Sequence, residues 1–209
     1  MTKVKICGLT TAEAVETCIN SNANFIGFVA YPKSPRHCSA QQFGQLAKQA
    51  GMLPTVLVTV NISDAELEDY LSVHRPNYVQ CHGSEDIARM QQIREHHDVN
   101  IIKALPIAEP ADLKAITHYR PHADILLLDA KPIAGELPGG NAKRFDWSLL
   151  ENLKIECDWM LSGGLNADNI AGAIAQTNPP MVDVSSGVES SFGVKELALI
   201  ERFMNHATR

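Results

Sequence analysis

The 209-residue chain contains no apolar run approaching the roughly 18 residues that a membrane-spanning helix needs, so no membrane partner is expected. Its N-terminus, MTKVKICGLTTAEAV, lacks the apolar core and cleavage site of a secretory signal. A basic excess is also missing. The 18 Lys and Arg against 24 Asp and Glu leave a net charge of -6, which argues against a nucleic-acid partner and against anionic membrane surfaces. It leaves an anionic small molecule open, because a pocket can be locally positive on an acidic protein. The five cysteines, Cys7, Cys18, Cys38, Cys81 and Cys157, are odd in number and form no CxxC pair, so a reduced, cytoplasmic protein is expected. The eight histidines are scattered, and only His96 and His97 adjoin. Neighbours on a helix point apart, so no metal site is expected. There is no low-complexity segment, no linker and no G-x-G-x-x-G after the first apolar run, which removes the usual dinucleotide fingerprint.

What is present is a repeated alternation. Eight short apolar runs end in polar or Gly-rich turns: Val4–Cys7, Phe25–Val29, Thr55–Val60, Tyr78–Cys81, Ile101–Leu105, Ile125–Leu128, Trp159–Leu161 and Met181–Val184. Between them run stretches of helical periodicity, among them Ala12–Ile19, Ala40–Ala50, Ala65–Val73, Asp86–Arg94 and Asn169–Ala175. A last helix is predicted over Lys195–Met204, with Leu197, Ala198, Ile200 and Met204 on its apolar face. Strands alternating with helices imply an α/β protein with a parallel sheet. An open doubly wound sheet usually has fewer strands. Eight units in this length fit a single (β/α)8 TIM barrel domain over residues 1–209. The Pro/Gly-rich stretch Pro132–Gly140 reads as one long loop after the sixth strand.

In such a barrel, chemistry sits where strands end. The first strand ends at Cys7-Gly8, the second leads into Lys33-Ser34-Pro35-Arg36-His37, and the fourth ends Gln80-Cys81-His82-Gly83. The sixth ends at Asp129, the seventh at Ser162-Gly163-Gly164 and the eighth at Ser185-Ser186-Gly187. The last two turns are either tight βα turns or, through Gly163, Gly164, Ser186 and Gly187, a phosphate cradle of backbone N–H groups. Alternation puts Lys3, Lys5 and Cys7 on one face of the first strand and Val4 and Ile6 on the other. Lys5 would then lie inside the barrel, where it needs a partner, and closure makes Asp183 available. Cys7 is either a small buried hydrophobe or a base whose thiolate the Lys5 ammonium favours. Asp129 is either a loop cap, an ion-pair partner with Lys103 as the candidate, or a general acid kept partly protonated by apolar surroundings. Arg36 is either solvated or a fork for a carboxylate, and Gln80 and His82 line the mouth, unless His82-Gly83 merely turns the chain.

Along nearly its whole length the chain resembles the phosphoribosylanthranilate isomerases. The opening KICGLT at Lys5–Thr10 is close to that family's most specific signature, and IGFV, KSPRH, VQCHG, IKAL, LLLDA, FDW, LSGGL and VDVSSGVES follow in family order. The resemblance implies an Amadori rearrangement of N-(5-phosphoribosyl)anthranilate to the corresponding 1-deoxyribulose phosphate in tryptophan biosynthesis, without cofactor or metal. It implies that Asp129 protonates the furanose oxygen, that Cys7 removes the proton from C2 and that Arg36 holds the anthranilate carboxylate. Backbone near Gly163, Gly164, Ser186 and Gly187 would hold the phosphate. A monomer or weak homodimer is expected.

Two positions depart from the family pattern. Gly139-Gly140-Asn141-Ala142 stands where GGTG is usual, and Ser191-Phe192-Gly193-Val194-Lys195-Glu196 where PG-x-KD is common. Cys81 replaces a common leucine and would put a second, oxidisable thiol near the mouth. Two other functions compete. The related isomerase acting on the histidine-pathway aminoribose phosphate uses two aspartates, and Cys7 speaks against it. A non-catalytic phosphate-binding barrel has only the altered Gly-rich loop in its favour.

Overall fold

The computed structural model describes residues 1–132, 145–151 and 153–208. Most of the predicted loop after the sixth strand, and the Asn141-Ala142 departure, lie outside the described residues. In chain order the elements are β1 (Lys3–Cys7), α1 (Ala12–Asn20), β2 (Phe25–Val29), α2 (Ala40–Gln49), β3 (Thr55–Thr59), α3 (Asp64–Val73), β4 (Tyr78–Cys81) and α4 (Ile87–His97). There follow β5 (Asn100–Ile107), a 3-10 turn at Pro110–Leu113, α5 (Lys114–Tyr119), β6 (Ile125–Ala130) and a 3-10 turn at Trp147–Leu150. The chain continues with β7 (Trp159–Leu161), α6 (Ile170–Thr177), β8 (Met181–Val184), a 3-10 turn at Ser186–Val188, β9 (Glu189–Ser191), β10 (Val194–Lys195) and α7 (Leu197–Ala207).

Strands β1 to β8 pair in sequence order, all parallel, and β8 returns to pair with β1. This is the expected closed (β/α)8 barrel, and each of the eight strands overlaps the run predicted for it. Side chains on the helix face of the strands, such as Val4, Ile6, Phe28, Leu57, Val79 and Leu126, merge with the helices into one apolar layer. Those on the other face, among them Val56, Val58, Ile102, Ala104, Leu127 and Met160, fill the barrel interior. The period of two therefore sorts the buried apolar residues of the barrel strands into two cores.

Helix starts follow local capping chemistry. Ser63 caps α3 and exchanges hydrogen bonds with Glu66 in a capping box, while the side chains of Thr11, Ser39 and Asp86 accept from the first turns of α1, α2 and α4. The last helix departs from its expected span. It begins at Leu197, because Lys195 belongs to the β9–β10 hairpin. Its buried face is Ile200, Phe203, Met204 and Ala207, whereas Leu197 and Ala198 are exposed.

The interior also holds charge. Lys5 is fully buried, level with Asp183 in the β1–β8 register, and its Nζ lies 2.8 Å from Asp183 Oδ1. The pairing inferred from strand alternation is therefore present. Burial disfavours the ammonium, yet the Asp183 carboxylate beside it holds the Lys5 pKa above its ordinary value. Removing one partner strands the other charge in a dry interior. Lys5→Met is expected to cost about 3–5 kcal/mol, and Lys5→Met with Asp183→Leu to recover much of it. Urea unfolding checks this, and a single-variant loss below about 1 kcal/mol would mean that Asp183 finds other compensation.

Candidate active site

At the carboxyl ends of the strands the ends of β1, β4, β6, β7 and β8 and the loop after β2 surround one recess. Cys7, Arg36, Gln80, His82, Asp129, Gly163, Gly164 and Ser186 all line it. Gly187 stands just behind, at the closest approach of two turns. A Cβ placed on Gly187 would fall 1.8 Å from the Leu165 carbonyl oxygen, so only glycine lets the turn after β8 pack on the turn after β7. Gly163 and Gly164 both have positive φ, which turns the backbone of the β7 loop into the recess.

Cys7 is 7 % exposed, and the space for its thiol comes from Gly27 on β2. A Cβ on Gly27 would lie 2.9 Å from Cys7 Sγ and 3.2 Å from Lys5 Cε. The role of this glycine was not read from IGFV, where it looks like an ordinary small residue. Lys5 does pull towards the Cys7 thiolate and Lys195 adds to it, but burial is the larger influence and the Asp183 charge reinforces it, so the thiol pKa is raised above its ordinary value. In the resting protein the group is a thiol rather than a standing thiolate.

Asp129 is 6 % exposed. Its Oδ1 accepts from the Ala130 N–H at 2.8 Å, and its Oδ2 lies 3.3 Å from His82 Nε2. Lys103 is not its partner. That lysine sits on the helix face of β5, donates to the Gly83 carbonyl at 2.8 Å and to Glu85 Oε2 at 3.2 Å, and lies 5.6 Å from the centre of the Tyr119 ring. Position 103 alternates with the inward Ile102 and Ala104, so the pleat turns it away from Asp129. The same rule corrects the reading of Cys81. Gln80 points inward and Cys81 outward, fully buried among the helices, with its thiol pushed up to about 12 by burial; it presents no oxidisable group at the mouth.

Arg36 is buried rather than solvated. Its Nε donates to Glu189 Oε1 at 2.7 Å and its Nη2 to Glu189 Oε2 at 2.9 Å, a bidentate clasp. The Phe192 ring lies over the guanidinium at 4.9 Å. Glu189 also accepts from Lys195 Nζ at 2.6 Å and from the Gly193 N–H at 3.0 Å. Burial opposes its charge, but Arg36 and Lys195 outweigh that and hold the carboxyl below its ordinary value. Two cations thus share one carboxylate beside Cys7. Glu189 and Lys195 were not singled out as site residues. Their signal was a polar pair on either side of Ser191-Phe192-Gly193, which makes a hairpin rather than the start of the last helix.

Among the described residues no group of three or more His, Cys, Asp and Glu side chains is placed to hold a metal ion, and no helix is long and apolar enough to cross a membrane. Comparison with known proteins adds the following. The family model for N-(5'-phosphoribosyl)anthranilate (PRA) isomerase matches residues 4–206. A curated relative from Brucella canis, N-(5'-phosphoribosyl)anthranilate isomerase, is 46 % identical over 202 residues, covering 96 % of this chain and 91 % of the relative. The crystal structure of phosphoribosyl anthranilate isomerase from Thermotoga maritima superposes with a TM-score of 0.89 at 35 % identity, over 99 % of this chain and 98 % of that one. A structure of the same enzyme type in complex with reduced 1-(o-carboxyphenylamino)-1-deoxyribulose 5-phosphate superposes with a TM-score of 0.84 at 33 % identity, again over 99 % and 98 %.

Proposed function

The chain belongs to the N-(5'-phosphoribosyl)anthranilate isomerase family, and we propose that its strand-end recess performs that isomerisation with Cys7 as the base and Asp129 as the acid. The reaction is the Amadori rearrangement of N-(5'-phosphoribosyl)anthranilate in tryptophan biosynthesis. One observation carries the residue roles: Cys7, Asp129, Arg36 and the Gly/Ser turns after β7 and β8 face the same recess.

The chemistry needs one acid, one base and two anion sites. Asp129 gives its proton to the furanose oxygen, the C1–O bond breaks, and the anilino nitrogen lone pair forms an iminium at C1. Cys7, as thiolate, then takes the proton from C2. The electrons of that C–H bond make the enolamine; C1 then takes a proton from the Cys7 thiol while the C2 hydroxyl returns its proton through solvent to the Asp129 carboxylate, leaving the ketone and restoring both groups. Cys7 rests as a thiol because it is dry; its proton leaves to solvent before C2 is deprotonated, and the iminium cation beside it favours the thiolate so formed. Arg36 meets the anthranilate carboxylate. The backbone of Gly163, Gly164, Ser186 and Gly187 meets the phosphate, at the position where barrels of this type often bind one. Gln80 on β4 and His82 just after it line the recess beside Asp129. No cofactor or metal enters these steps. The substrate is a phosphorylated small molecule, without nucleic acid or membrane as partner, and the compartment in this reading is the cytoplasm. A monomer or weak homodimer, with residues 1–209 as one working domain, completes this reading.

Turnover of the phosphoribosylated anthranilate by the purified protein tests the function, with the rate read from the loss of substrate fluorescence. Conversion to the deoxyribulose phosphate is the expected result; saturable binding of substrate with no product would overturn it. In the same assay Arg36→Ala is expected to raise KM by roughly tenfold to a hundredfold, the scale of a lost charge-assisted hydrogen bond, with a smaller change in kcat. A KM within about twofold of the parent would place the carboxylate elsewhere.

A further inference from the structure

A row of polar groups crosses the barrel from the Cys7 side to Asp129. Lys5 Nζ donates to Asp183 Oδ1 at 2.8 Å and to Gln80 Oε1 at 2.9 Å. Gln80 Nε2 lies 2.7 Å from His82 Nδ1, and His82 Nε2 lies 3.3 Å from Asp129 Oδ2. Lys5 is fully buried and Gln80 is 1 % exposed, so neither has water as an alternative partner.

The direction of this row follows from what each group can do. An ammonium only donates, so the Gln80 atom facing Lys5 must be the amide oxygen. The Gln80 NH2 therefore faces His82, and an NH2 only donates. His82 Nδ1 must then accept, through its lone pair. The imidazole carries its proton on Nε2, the nitrogen that faces Asp129. Turning the amide round would set NH2 against the Lys5 ammonium, and turning the ring would remove both nitrogens from their partners.

We propose that Lys5 and Gln80 lock His82 into the Nε2–H tautomer, making His82 a positioning residue that keeps a protonated nitrogen 3.3 Å from Asp129 Oδ2 and cannot itself take up the acid's proton. Asp129 Oδ1 then accepts from the Ala130 N–H, and the His82 Nε2–H stands 3.3 Å from Oδ2, close enough to turn onto it as the carboxylate forms. The carboxylate left behind when the proton goes to the ring oxygen is met by both. The proton cannot pass back along the row, because Nδ1 is already occupied by a donor. This rests on the reading of Asp129 as the acid; the tautomer itself follows from geometry alone.

Nitrogen-15 NMR of the whole protein labelled at histidine reads the tautomer directly, with the His82 signals assigned by their loss in His82→Gln. One bare nitrogen at Nδ1 and one protonated nitrogen at Nε2 are expected. Protonation at Nδ1, alone or together with Nε2, overturns the proposal. Gln80→Glu supplies the functional arm. A carboxylate accepts from both Lys5 and His82, so the proton is expected to move onto Nδ1, with kcat falling about tenfold, the scale of one hydrogen bond to a charged group, and KM unchanged within about twofold. A proton moved to Nδ1 with kcat intact would also overturn the positioning role, as would a rise in KM alone. His82→Gln keeps an N–H near the Nε2 position and is expected to retain more activity than His82→Leu; equal losses count against the proposal. If Asp129→Asn leaves turnover intact, the acid assignment fails while the measured tautomer stands, so the two failures are distinguishable.

Discussion

Cys7→Ser is expected to lower kcat by about a hundredfold to ten-thousandfold, the range a positioned acid or base contributes, while the fold and ligand binding persist. The two side chains are close in size, and the pocket that Gly27 and Lys5 form around Sγ accepts either. What changes is the ease of ionisation. The thiol pKa is already raised by burial, with Lys5 and Lys195 pulling the other way. A hydroxyl starts far higher, and the same two ammonium groups cannot bring it into range. Because the resting group is a thiol, alkylation at Cys7 at neutral pH is expected to be slow and to quicken as pH rises past the ordinary thiol value of 9.0. Site-resolved mass spectrometry of iodoacetamide-treated protein reads this. Fast labelling of Cys7 at pH 7 would mean that the ammonium groups, not burial, control it.

Asp129→Asn is expected to bring a loss of the same order for a different reason. The asparagine amide has no acidic proton to give. It also has only one accepting oxygen, whereas Asp129 Oδ1 accepts from the Ala130 N–H at 2.8 Å and Oδ2 lies 3.3 Å from His82 Nε2. One of those donors would meet the new NH2. The loss is expected in kcat rather than KM, since neither the phosphate turns nor Arg36 is touched. A variant with kcat within about threefold of the parent would remove Asp129 from the proton path.

Much of this arrangement was legible in the sequence because period-two alternation carries it. That rule put Lys5 inside, and barrel closure then put it beside Asp183. Strand ends located Cys7, Asp129 and the two Gly/Ser turns. Alternation applied one position too loosely produced the errors: Lys103 was offered to Asp129, and Cys81 to the mouth, although both sit on the helix face. The Arg36–Glu189–Lys195 cluster was out of reach for another reason. It joins the loop after β2 to a two-stranded hairpin some 150 residues later, and no local pattern links them. The hairpin itself was hidden because Lys195 precedes a helix and reads as part of it. The Cys7 pKa was left open by the sequence, because a string shows the ammonium nearby but not the dryness that outweighs it.

The central claim is that Cys7 and Asp129 are the base and acid for N-(5'-phosphoribosyl)anthranilate. Single-turnover conversion of that substrate at saturating enzyme tests it most directly, run on the parent, Cys7→Ser and Asp129→Asn alongside their binding of the reduced deoxyribulose phosphate analogue. The account predicts rapid conversion by the parent, rates lower by about a hundredfold or more in each variant, and analogue binding preserved in all three. Variants that bind the analogue and convert substrate as fast as the parent would contradict it.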